Sequence, residues 1–191
     1  MVGAARPLGS LAAFAAIAAA LVATPTRGAE TFSVVSACRG GLPNGAYELH
    51  GRDGRLRAVG AFAQGRKTGT FVFWTDGGAR SAVIPYDNDA RTGTVALWYT
   101  SGRRELARKL EAPYSDNVLH GVLRSYHPNG TARTECRYEH GRLASAQAWD
   151  ARGSMLPEQQ ARKLAADDVA INNRLLGQFD AMIGANLPRC E

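Results

Sequence analysis

Three cysteines, four histidines and a few clustered acids are the residues in this chain whose types suit chemistry. Cys38, Cys136 and Cys190 suffice for one disulfide with a thiol left over. His50, His120, His127 and His140 fall at none of the recognised metal-ligand spacings, and three of them sit at or beside turn residues. Asp87-Asn88-Asp89 starts like a calcium loop but lacks the remaining ligands, so ordinary turn chemistry is expected there and at Asp116-Asn117. Ser115 has no identifiable base nearby in sequence, and no paired carboxylates, phosphate loop or nucleophile elbow is present. The expectation is a protein without catalytic residues, metal ligands or a cofactor.

The elements that must position these residues are set by an internal repeat. Gly45, Gly69, Gly93 and Gly121 mark four units. Nine residues after each comes a turn glycine: Gly54, Gly78, Gly102 and Gly130. Two residues on are Tyr47, Phe71, Val95 and Leu123, and five on are His50, Trp74, Trp98 and Tyr126. A later column holds Phe62, Tyr86, Tyr114 and Tyr138, and another holds Gly65, Asp89, Asn117 and Gly141, once four extra residues are allowed in the third unit. Residues of that last column tolerate left-handed backbone. Each unit therefore reads as strand, tight turn, strand, second turn. Short alternating hairpins of this kind cannot bury an apolar face alone and must stack into one sheet. Half-units extend the pattern at both ends, so the repeats occupy residues 31–156. The insertion is assigned to residues 103–112, which are expected to project as a longer hairpin.

After Gly153 the two-residue period stops. Pro157 suits a first helical position. Ala161, Leu164, Ala165, Asp168, Ile171, Leu175, Phe179, Met182 and Ile183 then recur at three- and four-residue steps, with Asp168 the polar exception. Residues 157–187 are thus expected to form one amphipathic helix that covers a face or end of the sheet.

This architecture ranks the cysteine pairings. Cys38 and Cys136 lie about four units apart, or roughly 38 Å at the usual strand spacing, too far to bridge in an extended sheet. A helix of about 28 residues spans roughly 42 Å, so it could carry Cys190 back to Cys38. Cys38–Cys190 is the leading pairing, with Cys136–Cys190 and no bridge as alternatives. Cys136 shares a column with Gly60, Ile84 and Ala112 and reads as a small core residue.

The runs Asn44-Gly45-Ala46-Tyr47, Gly69-Thr70-Phe71-Val72-Phe73-Trp74-Thr75-Asp76-Gly77 and Gly121-Val122-Leu123-Arg124-Ser125-Tyr126-His127-Pro128-Asn129-Gly130 resemble MORN repeats, most of all the bacterial, antitoxin-like variety. The resemblance covers about two-thirds of the chain. It implies a mainly β fold, an open single-layer antiparallel sheet of stacked hairpins, here with one C-terminal α-helix. It also implies a scaffold or contact module with no catalytic residues to transfer. Val95 departs from the aromatic column, and units two and three lack the second-turn glycine.

The N-terminus carries Arg6, then an apolar run over residues 11–22 and small residues up to Ala29, the layout of a signal peptide over residues 1–29. Val35-Ser36-Ala37-Cys38 mimics a lipoprotein box but stands apart from the apolar run. Removing residues 1–29 leaves 21 basic and 17 acidic residues, a mild and scattered excess unlike a nucleic-acid-binding face. The reading is a periplasmic or secreted bacterial protein that contacts an unknown protein or envelope component. Peripheral membrane contact is a secondary expectation, nucleic acid is not a partner, and an antitoxin or immunity role is the alternative function. By alternation, Trp74, Trp98 and Tyr126 lie on the sheet face opposite Phe71, Val95 and Leu123, and they form the candidate binding surface.

Overall fold

The computed structural model describes residues 32–100 and 107–191. The expected signal peptide, and residues 103–106 of the expected insertion, lie outside the described residues.

The described residues form twelve strands and one helix. The strands are β1 (Ser33–Arg39), β2 (Leu42–His50), β3 (Leu56–Ala63), β4 (Arg66–Trp74), β5 (Arg80–Asp87), β6 (Ala90–Arg91), β7 (Gly93–Trp98), β8 (Arg108–Ser115), β9 (Val118–Leu119), β10 (Gly121–Tyr126), β11 (Ala132–Glu139) and β12 (Arg142–Ala148). The helix is α1 (Glu158–Ala185). Every pairing is antiparallel, and ten strands follow one another in chain order across an open sheet, with β6 and β9 as short side pairings. The fold is the mainly β, open antiparallel hairpin sheet with one C-terminal helix that the repeat predicted.

Two turn types alternate, and both follow from residue type. The second turns are two-residue connections with both residues at positive φ: Gly40-Gly41, Gln64-Gly65, Asn88-Asp89, Asp116-Asn117 and His140-Gly141. That geometry matches the natural twist of paired strands. The first turns close as four- or five-residue loops, as where Thr75 N–H bonds Ala79 O at 2.8 Å and Gly78 N–H bonds Thr75 O at 2.9 Å. Each unit also ties into the next: Asp89 Oδ1 accepts from Lys67 N–H, and Asp89 N–H returns a bond to Lys67 O. Asn117 forms the same reciprocal pair with Arg91. The missing second-turn glycine in units two and three is thereby explained, because the Asx side chain adds a bond between units that glycine lacks.

The leading glycines have a reason too. Gly93 sits at φ +113°, and a Cβ there would meet Pro85 at 3.0 Å. Inside the sheet, Gly60 leaves the space that the Phe71 ring fills, since a Cβ would lie 2.5 Å from it.

The core lies between one sheet face and α1. Tyr47, Leu49, Phe71, Phe73, Ile84, Val95, Leu97, Leu110, Leu123 and Cys136 are buried there, with Leu176 and Ile183 from the helix. The helix starts beside β11 and β12 and runs back across the sheet. Phe179 packs on Phe73 of β4 with ring centroids 4.5 Å apart, and Tyr47 Oη of β2 donates to Asn186 O at the helix end. Cys190 then meets Cys38, joined by a disulfide with Cα atoms 5.7 Å apart, and Cys136 stays buried and free.

Two sequence expectations need correction. Pro157 is the residue before α1, its carbonyl accepting from Gln160 and Ala161, and the helix ends at Ala185 instead of Leu187. The insertion does not extend to Ala112, because Arg108–Ser115 is an ordinary strand paired with β7. The extra residues therefore fall in the sequence between Tyr99 and Ala107, whose N–H and O are bonded at 3.0 Å. The strand's alternation hid that boundary, since a paired β strand and a long hairpin arm have the same pattern.

Candidate binding surfaces on the two sheet faces

The predicted surface residues lie where alternation put them, on the face away from α1. A cross-strand row runs over this face through Val35, Glu48, Val59, Val72, Val83, Ala96, Glu111, Arg124, Glu135 and Gln147, each paired with the next. Its early half is largely apolar and its late half charged. Within the charged half Arg124 bonds Glu135 at 2.9 Å, while Glu111 accepts from Arg108 and Tyr126. Val35 is 59% exposed at the sheet edge and Leu42 is 48% exposed beside the second turn.

Trp74, Trp98 and Tyr126 share this face but not its accessibility. Trp74 and Tyr126 are half-buried, whereas Trp98 keeps only 7% of its surface. The cause is not the helix. Arg80 and Arg108, from the strands flanking β7, bring their guanidinium groups to 4.2 Å and 4.6 Å from the indole centroid. Arginine stacks well on aromatic faces because its planar cation is weakly hydrated. The column of aromatics is thus interrupted by a guanidinium-clad Trp98. Spacing alone gave its face and not its cover, because Arg80 and Arg108 come from different units.

The helix face carries polar groups that periodicity only hinted at. Asp168 is 3% exposed, and its Oδ2 accepts hydroxyl bonds from Ser125 at 2.6 Å and Thr134 at 2.7 Å, while Arg133 pairs with Oδ1. A buried carboxylate is tolerated when its lone pairs are filled in this way. Asn172 donates to Tyr114 Oη at 2.6 Å. Asp180 accepts from Tyr86, Lys67 and Arg91. Two of these helix groups, Asn172 and Asp180, thus bond phenols of the tyrosine column, and burial raises the phenols of Tyr47 and Tyr138 to about 12.

Between α1 and the first-turn end of β7, β8, β10 and β11 lies a cavity of about 240 Å³, lined by Leu97, Tyr99, Lys109, Arg133, Asp168 and Ile171 among others. A wider, shallow groove of about 550 Å³ opens at the second-turn end among Arg39, Leu42, Asn44 and Arg66. Sequence reading gave no sign of the cavity, because its walls come from units three and four and the helix. No protein-family model matches this chain, and no curated protein is significantly similar to it.

Proposed function

We propose that the protein is an exported, non-catalytic MORN-type module that holds a protein partner of the bacterial cell envelope on its open sheet face. The observation that carries the reading is the asymmetry of coverage. One face packs against α1, while the other keeps Val59, Val72 and Val83 half-exposed in a continuous cross-strand row. An apolar strip rimmed by charges suits a specific protein contact. Export is consistent with the Cys38–Cys190 bridge, since such bonds persist in oxidising compartments. None of the described helices is long and apolar enough to cross a membrane.

The test is crosslinking and recovery from envelope extracts with the full chain, the Val72→Glu/Val83→Glu double variant, and Arg66→Gln as a control away from the strip. The wild type and the control should recover the same specific protein, and the double variant should lose it while keeping its strand signal by circular dichroism. Recovery unchanged by the double variant, or no specific protein at all, would defeat the reading.

A further inference from the structure

The repeat supplies an internal control for one residue. In each unit the strand after the first turn carries a bulge, because the pairing skips one residue: Arg57, Ser81, Lys109 and Arg133 are the skipped residues. In the first unit Arg57 meets Asp76 at 3.0 Å and Asp53 at 3.3 Å. In the fourth, Arg133 pairs with Asp168. The second unit uses neutral Ser81. Lys109 alone among these bulge cations has no carboxylate within ion-pair distance among the described residues, and its Nζ stands 5.7 Å from the centroid of the Tyr99 ring.

Its surroundings make that arrangement costly without a counter-ion. Burial and the positive charges of Arg174 and Arg133 hold the Lys109 ammonium below its usual range, against the opposing pull of Asp168. Asp168 is not free to serve it, since both its oxygens are already occupied by Ser125, Thr134 and Arg133. Three cations thus surround one committed carboxylate. Lys109 lines the cavity of about 240 Å³, together with apolar Leu97, Leu110 and Ile171, Tyr99 and Tyr126, and the already engaged Ser125, Arg133 and Asp168.

We infer that the cavity between α1 and the sheet is a binding site for a small monocarboxylate with a compact apolar body, whose anionic head pairs with Lys109. The apolar body lies against Leu97, Leu110 and Ile171, and the head neutralises a bulge cation that has no acid among the described residues. A dianion or a sugar fits less well, because the walls offer few polar groups beyond those already engaged. This site is on the helix face and is independent of the partner strip on the open face.

Benzoate and its neutral isostere benzamide are the probes, titrated into the full oxidised chain at constant ionic strength and followed by amide chemical shifts and calorimetry. Benzoate should bind saturably, with the largest shifts at Tyr99, Leu110 and Ile171. Benzamide should bind at least tenfold more weakly, as should benzoate to Lys109→Met. Arg66→Gln should bind benzoate as the wild type does. Equal affinity for benzoate and benzamide, or shifts scattered away from the cavity, would overturn the proposal. Wild-type affinity in folded Lys109→Met would do the same. If that variant does not fold, the wild-type shift map and the benzoate-to-benzamide ratio decide alone.

Discussion

Tyr86 on β5 and Asp180 on α1 are joined by a 2.7 Å hydrogen bond, with Tyr86 Oη donating to Asp180 Oδ1. The same carboxylate receives Lys67 and Arg91, so one helical acid gathers three donors from β4, β5 and β6. It pins the helix at mid-sheet, as Asp168 does near its start. Tyr86→Phe removes one donor and leaves the two cations in place, and is expected to cost about 1 kcal/mol. Asp180→Ala strands Lys67 and Arg91 and should cost more, roughly 2 to 3 kcal/mol. Urea unfolding of the two variants checks the order; an equal loss would show that the ion pairs contribute nothing beyond the tyrosine bond.

Asp168 is the more deeply buried anchor. Asp168→Ala leaves the Arg133 guanidinium and the hydroxyls of Ser125 and Thr134 without their acceptor, and the expected loss is roughly 3 to 5 kcal/mol. Asp168→Asn keeps a side-chain acceptor for the hydroxyls and should lose less. Thermal unfolding that ranks Asn below Ala would contradict the hydrogen-bond geometry.

The disulfide closes a loop with a sequence separation of 152 residues. Loop-closure entropy at that length predicts that Cys38→Ser or Cys190→Ser lowers stability by roughly 3 to 5 kcal/mol. Non-reducing peptide mapping should find Cys136 as the unmodified thiol, and alkylation of Cys136 should require unfolding because its side chain is buried.

Alkaline pH should unfold the protein by a defined route. Burial raises Cys136 to about 11 and Tyr47 and Tyr138 to about 12, above their ordinary values of 9.0 and 10.0. All three are neutral when protonated, so the folded state holds their protons more tightly than the unfolded chain does. Their contribution is therefore intact below pH 9 and is lost as pH climbs toward 11 to 12. Urea midpoints at pH 8, 10 and 11.5 should fall between the first two, as Cys136 begins to titrate in the unfolded chain, and further over the upper interval, as the two tyrosines follow. A midpoint already falling between pH 7 and 9 would assign alkaline sensitivity to other groups.

On the open face, Trp98→Ala should cost roughly 3 kcal/mol, since the indole is buried between two guanidinium groups. Trp74→Ala, at a half-exposed site, should cost clearly less. Matched losses would mean that the arginine cover contributes little.

What could be read from the chain divides along physical lines. Periodicity is a local property, so the glycine phase gave the hairpins, and the turn columns gave residues that do sit at positive φ, such as Asp89 and Asn117. Strand and helix rise are constants, which is why Cys38 and Cys190 could be matched across 152 residues of sequence. Asp168 stood out only as a polar residue on an apolar stripe; its partners Ser125, Thr134 and Arg133 depend on the height at which the helix crosses the sheet. The cover over Trp98 and the cavity beside Lys109 are likewise made by side chains from neighbouring units and the helix. No single-unit pattern encodes such meetings.

The path of α1 back to β1 has a mechanical consequence. Cys38 precedes nearly the whole sheet and Cys190 follows the helix, yet their Cα atoms stand 5.7 Å apart and share a covalent bond. Tension between the chain ahead of β1 and anything attached beyond Cys190 loads the start of β1 against β2 and then passes through that bond. The strands from β2 onward and the helix hang beside the load path as a bypassed loop. Reducing the bond would reroute the same pull through the hydrogen bonds of the sheet, starting at the edge strand β1 and unzipping one hairpin after another.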